Sequence, residues 1–266
     1  MLGRDVILIY EQITSEVRGR VGIMTMNRPE KLNAMTGQMV EEMRHLLEAW
    51  NANDTIGAVV WTGAGRGFCS GADIAGFEAE LEGQTRDRQP GIAQDNWHET
   101  ITTSKPVIAA INGVAVGGGL TFTLPCDIRL ASETARLSFR FVRIGVTPEF
   151  ASTHYAVYLI GLARTLEMML TGKMIEADEA YRIGLVNHIY PPDELLDKAI
   201  ELAAEIADNP TWQLSQTKSL IHRDYLEHDI NGVLADEMST FRIAQKTHAH
   251  REAMLAFRAK RSPRFH

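Results

Sequence analysis

Three consecutive glycines, Gly117-Gly118-Gly119, stand between the apolar stretch Pro106-Val107-Ile108-Ala109-Ala110-Ile111 with Val114-Ala115-Val116 and the helix-capable Leu120-Thr121-Phe122-Thr123-Leu124. A buried strand that passes into a helix through residues without side chains leaves main-chain N–H groups bare at the positive end of a helix dipole. An anion or a developing oxyanion is stabilised there. The same triplet also suits a tight turn or close packing. A second glycine-rich loop, Gly63-Ala64-Gly65-Arg66-Gly67-Phe68-Cys69-Ser70-Gly71-Ala72-Asp73, follows another apolar strand, Gly57-Ala58-Val59-Val60-Trp61-Thr62. In one parallel sheet the two strand ends share a rim, so the N–H groups of Ala72 and Gly118 can converge on one oxygen. Paired donors of that kind are what an enolate needs.

Around these loops the pattern alternates strand and helix. Ile7 to Ser15 and Val21 to Met26, flanking Val17-Arg18-Gly19-Arg20, read as a hairpin. Thr36 is placed to cap a long helix in which Met39, Val40, Met43, Leu46, Leu47 and Trp50 recur at three- and four-residue spacing. The stretch Glu78 to Gln94 is polar, with Gly83, Pro90 and Gly91, and reads as a short helix and a surface segment before a helix near Asn96 to Ser104. Short strands are expected at Asp127 to Ala131 and Ala135 to Phe139. After Gly145 the chain reads as almost continuous helix, interrupted by one strand at Val186 to Tyr190. The expectation is an α/β core over residues 1–200 and a helical C-terminal region over 201–266.

The 266 residues, 45% of them hydrophobic, suffice for a full core. A formal net charge of −7 argues against nucleic-acid and anionic-membrane partners, which require basic stripes. Two cysteines, Cys69 and Cys126, are too few for a disulfide framework or a structural zinc site and fit a reducing compartment. The N-terminal apolar run reads as a strand and not a leader, and no stretch approaches the roughly 20 apolar residues of a membrane span. A soluble cytoplasmic protein is expected. Gly63-Ala64-Gly65-Arg66-Gly67 is neither a dinucleotide fingerprint nor a P-loop. Gly67-Phe68-Cys69-Ser70-Gly71 matches a nucleophile elbow with cysteine as the nucleophile, but six residues separate the strand from Cys69, which reads better as a small core residue. Nine histidines show no metal-binding spacing, so no metal is expected. The basic tail Arg258 to Arg264 is a solvated end or a source of phosphate contacts.

Glu149 is the remaining candidate. Pro148 suits the first turn of a helix, where a carboxylate is favourable, and Ile144, Val146 and Phe150 offer the apolar surroundings that would make Glu149 a desolvated base. Burial raises a carboxyl pKa and the dipole lowers it, so either role is open.

Five segments in order, Asn27-Arg28-Pro29-Glu30-Lys31-Leu32-Asn33-Ala34, Gly67 to Ile74, Lys105 to Gly113 with Gly117-Gly118-Gly119, Cys126-Asp127-Ile128-Arg129, and Leu170-Thr171-Gly172 with Gly184-Leu185-Val186, resemble the crotonase (enoyl-CoA hydratase/isomerase) superfamily. The resemblance implies a spiral of ββα repeats with a C-terminal helical trimerisation region, assembled as a homotrimer or as a hexamer of two trimers. It implies an acyl-CoA substrate with no cofactor beyond the coenzyme A of the substrate itself. Ala72 and Gly118 would be the oxyanion donors, with Gly71, Asp73 and Gly117 beside them. Lys31, Arg66 and Ile74 would surround the adenosine end of CoA, and Phe257 and Lys260 would reach it from a neighbouring helix or subunit.

One departure bears on the reaction. Family hydratases carry two glutamates where this chain has Thr121 and Phe141. Glu149, however, falls where single-glutamate enoyl-CoA isomerases place their base. The expectation is therefore isomerase-type proton transfer by Glu149. Alternatives are a hydratase with a second group from Asp73, Glu78 or His98, an acyl-CoA-binding pseudoenzyme, and a Cys69 hydrolase.

Overall fold

A tight hairpin opens the larger of two sheets. In the computed structural model, which describes residues 10–73 and 96–266, β1 (Ile13–Arg18) and β2 (Val21–Met26) pair antiparallel from Ile13 opposite Met26 to Arg18 opposite Val21. Gly19 and Arg20 alone make the turn, with Gly19 at φ +58°. Among the described residues the first strand begins at Ile13, and Val17 and Arg18 belong to it; the expected start, Ile7 to Ile9, lies outside the described residues. Only Ile13 of β1 is buried, so the strand is held by pairing with β2 and not by an apolar run of its own.

From β2 the sheet grows in parallel. β3 (Ala58–Gly63) pairs with β2, then β5 (Val107–Ile111), β7 (Ile128–Ser132) and β10 (His188–Tyr190) follow, giving the order β1-β2-β3-β5-β7-β10. Every residue of β3 and β5 is buried, as expected of strands covered on both faces. A second sheet has the order β4-β6-β8-β9, formed by β4 (Gly67–Cys69), β6 (Val114–Val116), β8 (Arg136–Ser138) and β9 (Ile175–Glu176). Its first three strands are parallel and β9 is antiparallel to β8. Three large-sheet strands, β3, β5 and β7, each hand the chain to the small-sheet strand that follows, β4, β6 and β8, across a short turn, and this is the spiral. The turn from β5 to β6 requires Gly113, because a Cβ there would lie 2.2 Å from the Arg66 carbonyl oxygen.

Nine helices are formed by the described residues. α1 (Gly37–Asn51) starts where Thr36 Oγ1 accepts a hydrogen bond from the Met39 N–H at 3.1 Å, and it buries the six residues its spacing singles out. α2 (Trp97–Thr103) and the one-turn α3 (Gly118–Thr121) precede the long α4 (Ser152–Thr171), broken at Gly161. α5 (Ala177–Arg182), α6 (Leu195–Ala207), α7 (Thr211–Asp224), α8 (Ile230–Ala244) and α9 (His248–Arg258) complete the chain. α6 lays Leu195, Ala199, Ala203 and Ala207 against Val21, Val60, Ile108 and Leu130 on the outer face of the large sheet. The larger core lies on the other face, around Trp61, Phe68, Trp97 and Phe122.

β4 lies inside the stretch expected as a loop from Gly63 to Gly71, and β9 inside the stretch expected as helix. No helix among the described residues is long and apolar enough to cross a membrane. The polar segment Glu78 to Gln94 lies outside the described residues.

Candidate active site

The two expected donors leave neighbouring strands, but not β3 and β5. Ala72 follows β4 and Gly118 follows β6, and these two pair in parallel with Gly67 opposite Val114 and Cys69 opposite Ala115. The turns after β3 and β5 carry the chain into the small sheet first, so the shared rim belongs to that sheet.

Ala72 is held by Met35. The Met35 N–H donates to the Gly71 carbonyl at 2.8 Å and the Asp73 N–H donates to the Met35 carbonyl at 2.9 Å, a parallel bridge that brackets Ala72. Gly117 takes φ +52° and ψ −124°, a conformation that side chains exclude, and its N–H donates to the Ser138 carbonyl at 2.9 Å. Gly118 is then the first residue of α3, so its N–H has no acceptor within the helix. Among the described residues, neither the Ala72 nor the Gly118 N–H donates a hydrogen bond. A Cβ placed on Gly118 would lie 4.0 Å from the Ala72 nitrogen, and one on Gly71 would lie 3.9 Å from the Gly118 nitrogen. The two amides flank one small space.

Glu149 borders the same space. Its Oε1 lies 3.9 Å from that Cβ position on Gly118. Burial raises its carboxyl pKa above the usual glutamate range, although the residue as a whole is exposed. The helix following it begins only at Ser152, because Phe150 and Ala151 both take left-handed φ values, +55° and +54°. Pro148 therefore does not stand in a helical first turn, and Glu149 lies outside the helix whose dipole was expected to favour it. The expected apolar wall is also different. Ile144 and Val146 are 64% and 40% exposed, whereas Phe150 packs edge-on to Phe122 with ring centres 4.3 Å apart.

Phe122 joins three parts of the site. Its N–H donates to the Gly118 carbonyl at 3.0 Å, its carbonyl accepts from Trp97 Nε1 at 2.8 Å, and its ring meets Phe150. Left-handed non-glycine residues cost on the order of 1–3 kcal/mol each and persist where packing over-determines them. The Phe150–Phe122 contact supplies such packing. Thr121 is buried within α3, and a Phe141 ring carbon lies 4.0 Å from a Cβ position on Gly117, so the two positions that carry glutamates in the family hydratases hold a hydroxyl and a ring here.

The other candidates divide. Asp73 accepts from Arg28 at 2.9 Å in a largely buried ion pair, and Arg28 also donates to the Ala34 carbonyl at 2.7 Å, so the Asp73 carboxylate serves as a brace. His98 is hydrogen-bonded through Nδ1 to the Tyr155 hydroxyl. Burial, then repulsion from His222 and His154, lowers its pKa. The Cys69 thiol is fully buried and its pKa is pushed up to about 12 by burial, which suppresses the thiolate and removes the cysteine hydrolase reading. Lys31 and Arg66 are exposed on adjoining loops, a Cβ on Gly65 lying 2.9 Å from Pro29 Cβ. Phe257 is 81% exposed at the end of α9, and Lys260 follows it, also exposed. Ile74 and Glu78 lie outside the described residues. No group of three or more His, Cys, Asp or Glu suited to a metal occurs among the described residues.

The places of Met35 and of the Arg28 brace carry no signal in the sequence, whereas Phe150 does stand beside Glu149 as its neighbouring apolar residue. Met35 looks like any core residue, and only its register against Gly71 and Asp73 reveals its place.

A family model described as enoyl-CoA hydratase/isomerase matches residues 16–266. A short-chain-enoyl-CoA hydratase of Clostridium acetobutylicum is 37% identical over 248 residues, covering 92% of this chain and 94% of that protein. A 1,2-epoxyphenylacetyl-CoA isomerase of Escherichia coli is 32% identical, covering 97% and 99%. Among solved structures, an enoyl-CoA hydratase from Polaromonas sp. superposes with a TM-score of 0.89 at 28% identity, covering 95% of this chain and 98% of that one.

Proposed function

The chain belongs to the enoyl-CoA hydratase/isomerase family, and from that premise we propose that it moves a double bond within an enoyl-CoA thioester by single-glutamate proton transfer. The carrying observation is the space shared by Glu149 Oε1 and the free amides of Ala72 and Gly118. In a 3-enoyl-CoA, Glu149 takes a proton from C2. The electrons of that C–H bond form the C1–C2 double bond of a dienolate, and the thioester oxygen takes the negative charge between the two N–H groups. The protonated carboxyl then delivers its proton to C4, the C2–C3 double bond forms, and the carbonyl is restored. A raised carboxyl pKa suits both halves of this exchange. Water addition needs a group to activate the water and one to protonate C2, and neither Thr121 nor Phe141 supplies a carboxylate.

We assign Lys31, Arg66 and Ile74 to the adenosine end of CoA, with Phe257 and Lys260 reaching it from a neighbouring helix or subunit. Two exposed apolar stripes support a homotrimer or a hexamer of two trimers: Leu162, Leu166 and Leu170 on α4 after its break, and Ile230, Leu234, Met238 and Phe241 on α8.

Hydration is the second reading, favoured by the hydratase names among the relatives. It would need a second acid/base, yet Asp73 is braced by Arg28 and His98 is tied to Tyr155. Side-by-side assays decide: conversion of 3-hexenoyl-CoA against hydration of crotonyl-CoA. The proposal expects faster isomerisation, lost by at least about 10²-fold in Glu149→Gln with acyl-CoA binding retained. Faster hydration, or full isomerase activity in Glu149→Gln, overturns it. Acyl-CoA binding with neither reaction points to the pseudoenzyme.

A further inference from the structure

The two free amides come from separate strands, and one residue touches the surroundings of both. Met35 brackets Ala72 through its main chain, donating to the Gly71 carbonyl and accepting from the Asp73 N–H. Its side chain crosses to the other donor, where Cε lies 3.1 Å from the Cβ position on Gly118. Met35 is 1% exposed, so neither contact is left to a mobile surface group. The backbone bridge fixes where Ala72 stands, and the methyl group stands beside Gly118 on the side where a side chain would project.

We infer that Met35 is a positioning residue that sets the separation of the Ala72 and Gly118 N–H donors. The inference rests on reading those amides as an oxyanion hole, but not on Glu149 or on the direction of the reaction. An oxyanion hole acts through the distance from each donor to one oxygen, and a misplacement of about 1 Å can cost about 10²-fold in rate. Shortening the side chain to Ala removes the spacer while leaving the main-chain bridge in place. Leucine restores similar volume.

The test uses butyryl-CoA with an isotope-labelled carbonyl, a saturated thioester that can be neither hydrated nor isomerised. Infrared spectroscopy of the bound ligand reads how strongly the two donors polarise its carbonyl. In the unaltered protein the carbonyl frequency falls on binding. In Met35→Ala it returns toward the free value and kcat drops by about 10²-fold with KM little changed, while Met35→Leu keeps both near the original. Met35→Val serves where Met35→Ala does not fold. A lowered frequency that survives in the folded Ala or Val variant overturns the inference and leaves the oxyanion hole standing. Butyryl-CoA bound to the unaltered protein with its carbonyl frequency unshifted overturns the oxyanion reading, and the inference with it.

Discussion

Glu149 couples activity to stability through one proton. Burial raises its carboxyl pKa above the ordinary value of 4.5, so between the unfolded and folded values the native protein binds the proton that the unfolded chain has already lost. The sign follows from that difference: the neutral carboxyl's contribution is present in full below the unfolded value and disappears as pH rises through the folded one. At neutral pH the ionised, partly desolvated carboxylate is therefore a cost, which glutamine does not carry. Glu149→Gln is expected to melt at a higher temperature than the parent at pH 7 and at the same temperature near pH 3.5, measured by thermal unfolding. In the same window the parent's kcat/KM for a 3-enoyl-CoA should fall as pH drops, with a midpoint above 4.5. Identical melting temperatures at pH 7 would mean that the carboxylate is not held in an unfavourable setting.

At the scale of elements, the glycine triplet separates packing from chemistry within one turn of α3. A Cβ on Gly119 would lie 2.2 Å from the Cys69 carbonyl oxygen, a backbone atom of β4 that cannot step aside. A Cβ on Gly118 meets the flexible end of Met35 and enters the space between the donors. Gly119→Ala is expected to impair folding, while Gly118→Ala folds, keeps its N–H and loses about 10²-fold in kcat, because the added methyl group pushes the thioester oxygen about 1 Å from the donors. Circular dichroism melts beside steady-state kinetics distinguish them, and equal melting temperatures for the two variants would contradict the assignment. Elements whose information is local were legible in sequence: α1, with its Thr36 cap and its six buried residues at helical spacing, and the apolar strands β3 and β5. β4 and β9 were not, because strands of three and two residues exist only through partners far along the chain. The start of α4 was misread for a related reason. Nothing in Pro148-Glu149-Phe150-Ala151 announces two left-handed residues, which depend on Phe150 meeting Phe122. The candidate site was legible as chemical types, two bare amides and a glutamate, but the approach of Met35 to both amides is a tertiary arrangement.

For the whole molecule, the outward faces of α4 and α8 are the unresolved account in a single chain. Leu162, Leu166 and Leu170 repeat at four-residue spacing on α4 after its break at Gly161, and Ile230, Leu234, Met238 and Phe241 repeat at nearly the same spacing on α8. All seven are between 46% and 70% exposed. Contiguous apolar faces of this kind are rarely left to water, since covering each returns on the order of 25 cal/mol per Å². A second copy of the same chain suits them, because helices from identical subunits can repeat one contact around a closed ring. Sedimentation velocity is expected to show a species of three or six chains of 29.6 kDa, and Leu234→Glu with Phe241→Glu to yield smaller species, since a carboxylate buried in that face lacks a partner. If Phe257 and Lys260 serve a neighbour's CoA, acyl-CoA affinity must fall with the assembly even though both residues are untouched. A parent protein that sediments as one chain at micromolar concentration would overturn the assembly, and a dissociated variant that binds acyl-CoA undiminished would confine the adenosine site to residues of a single subunit.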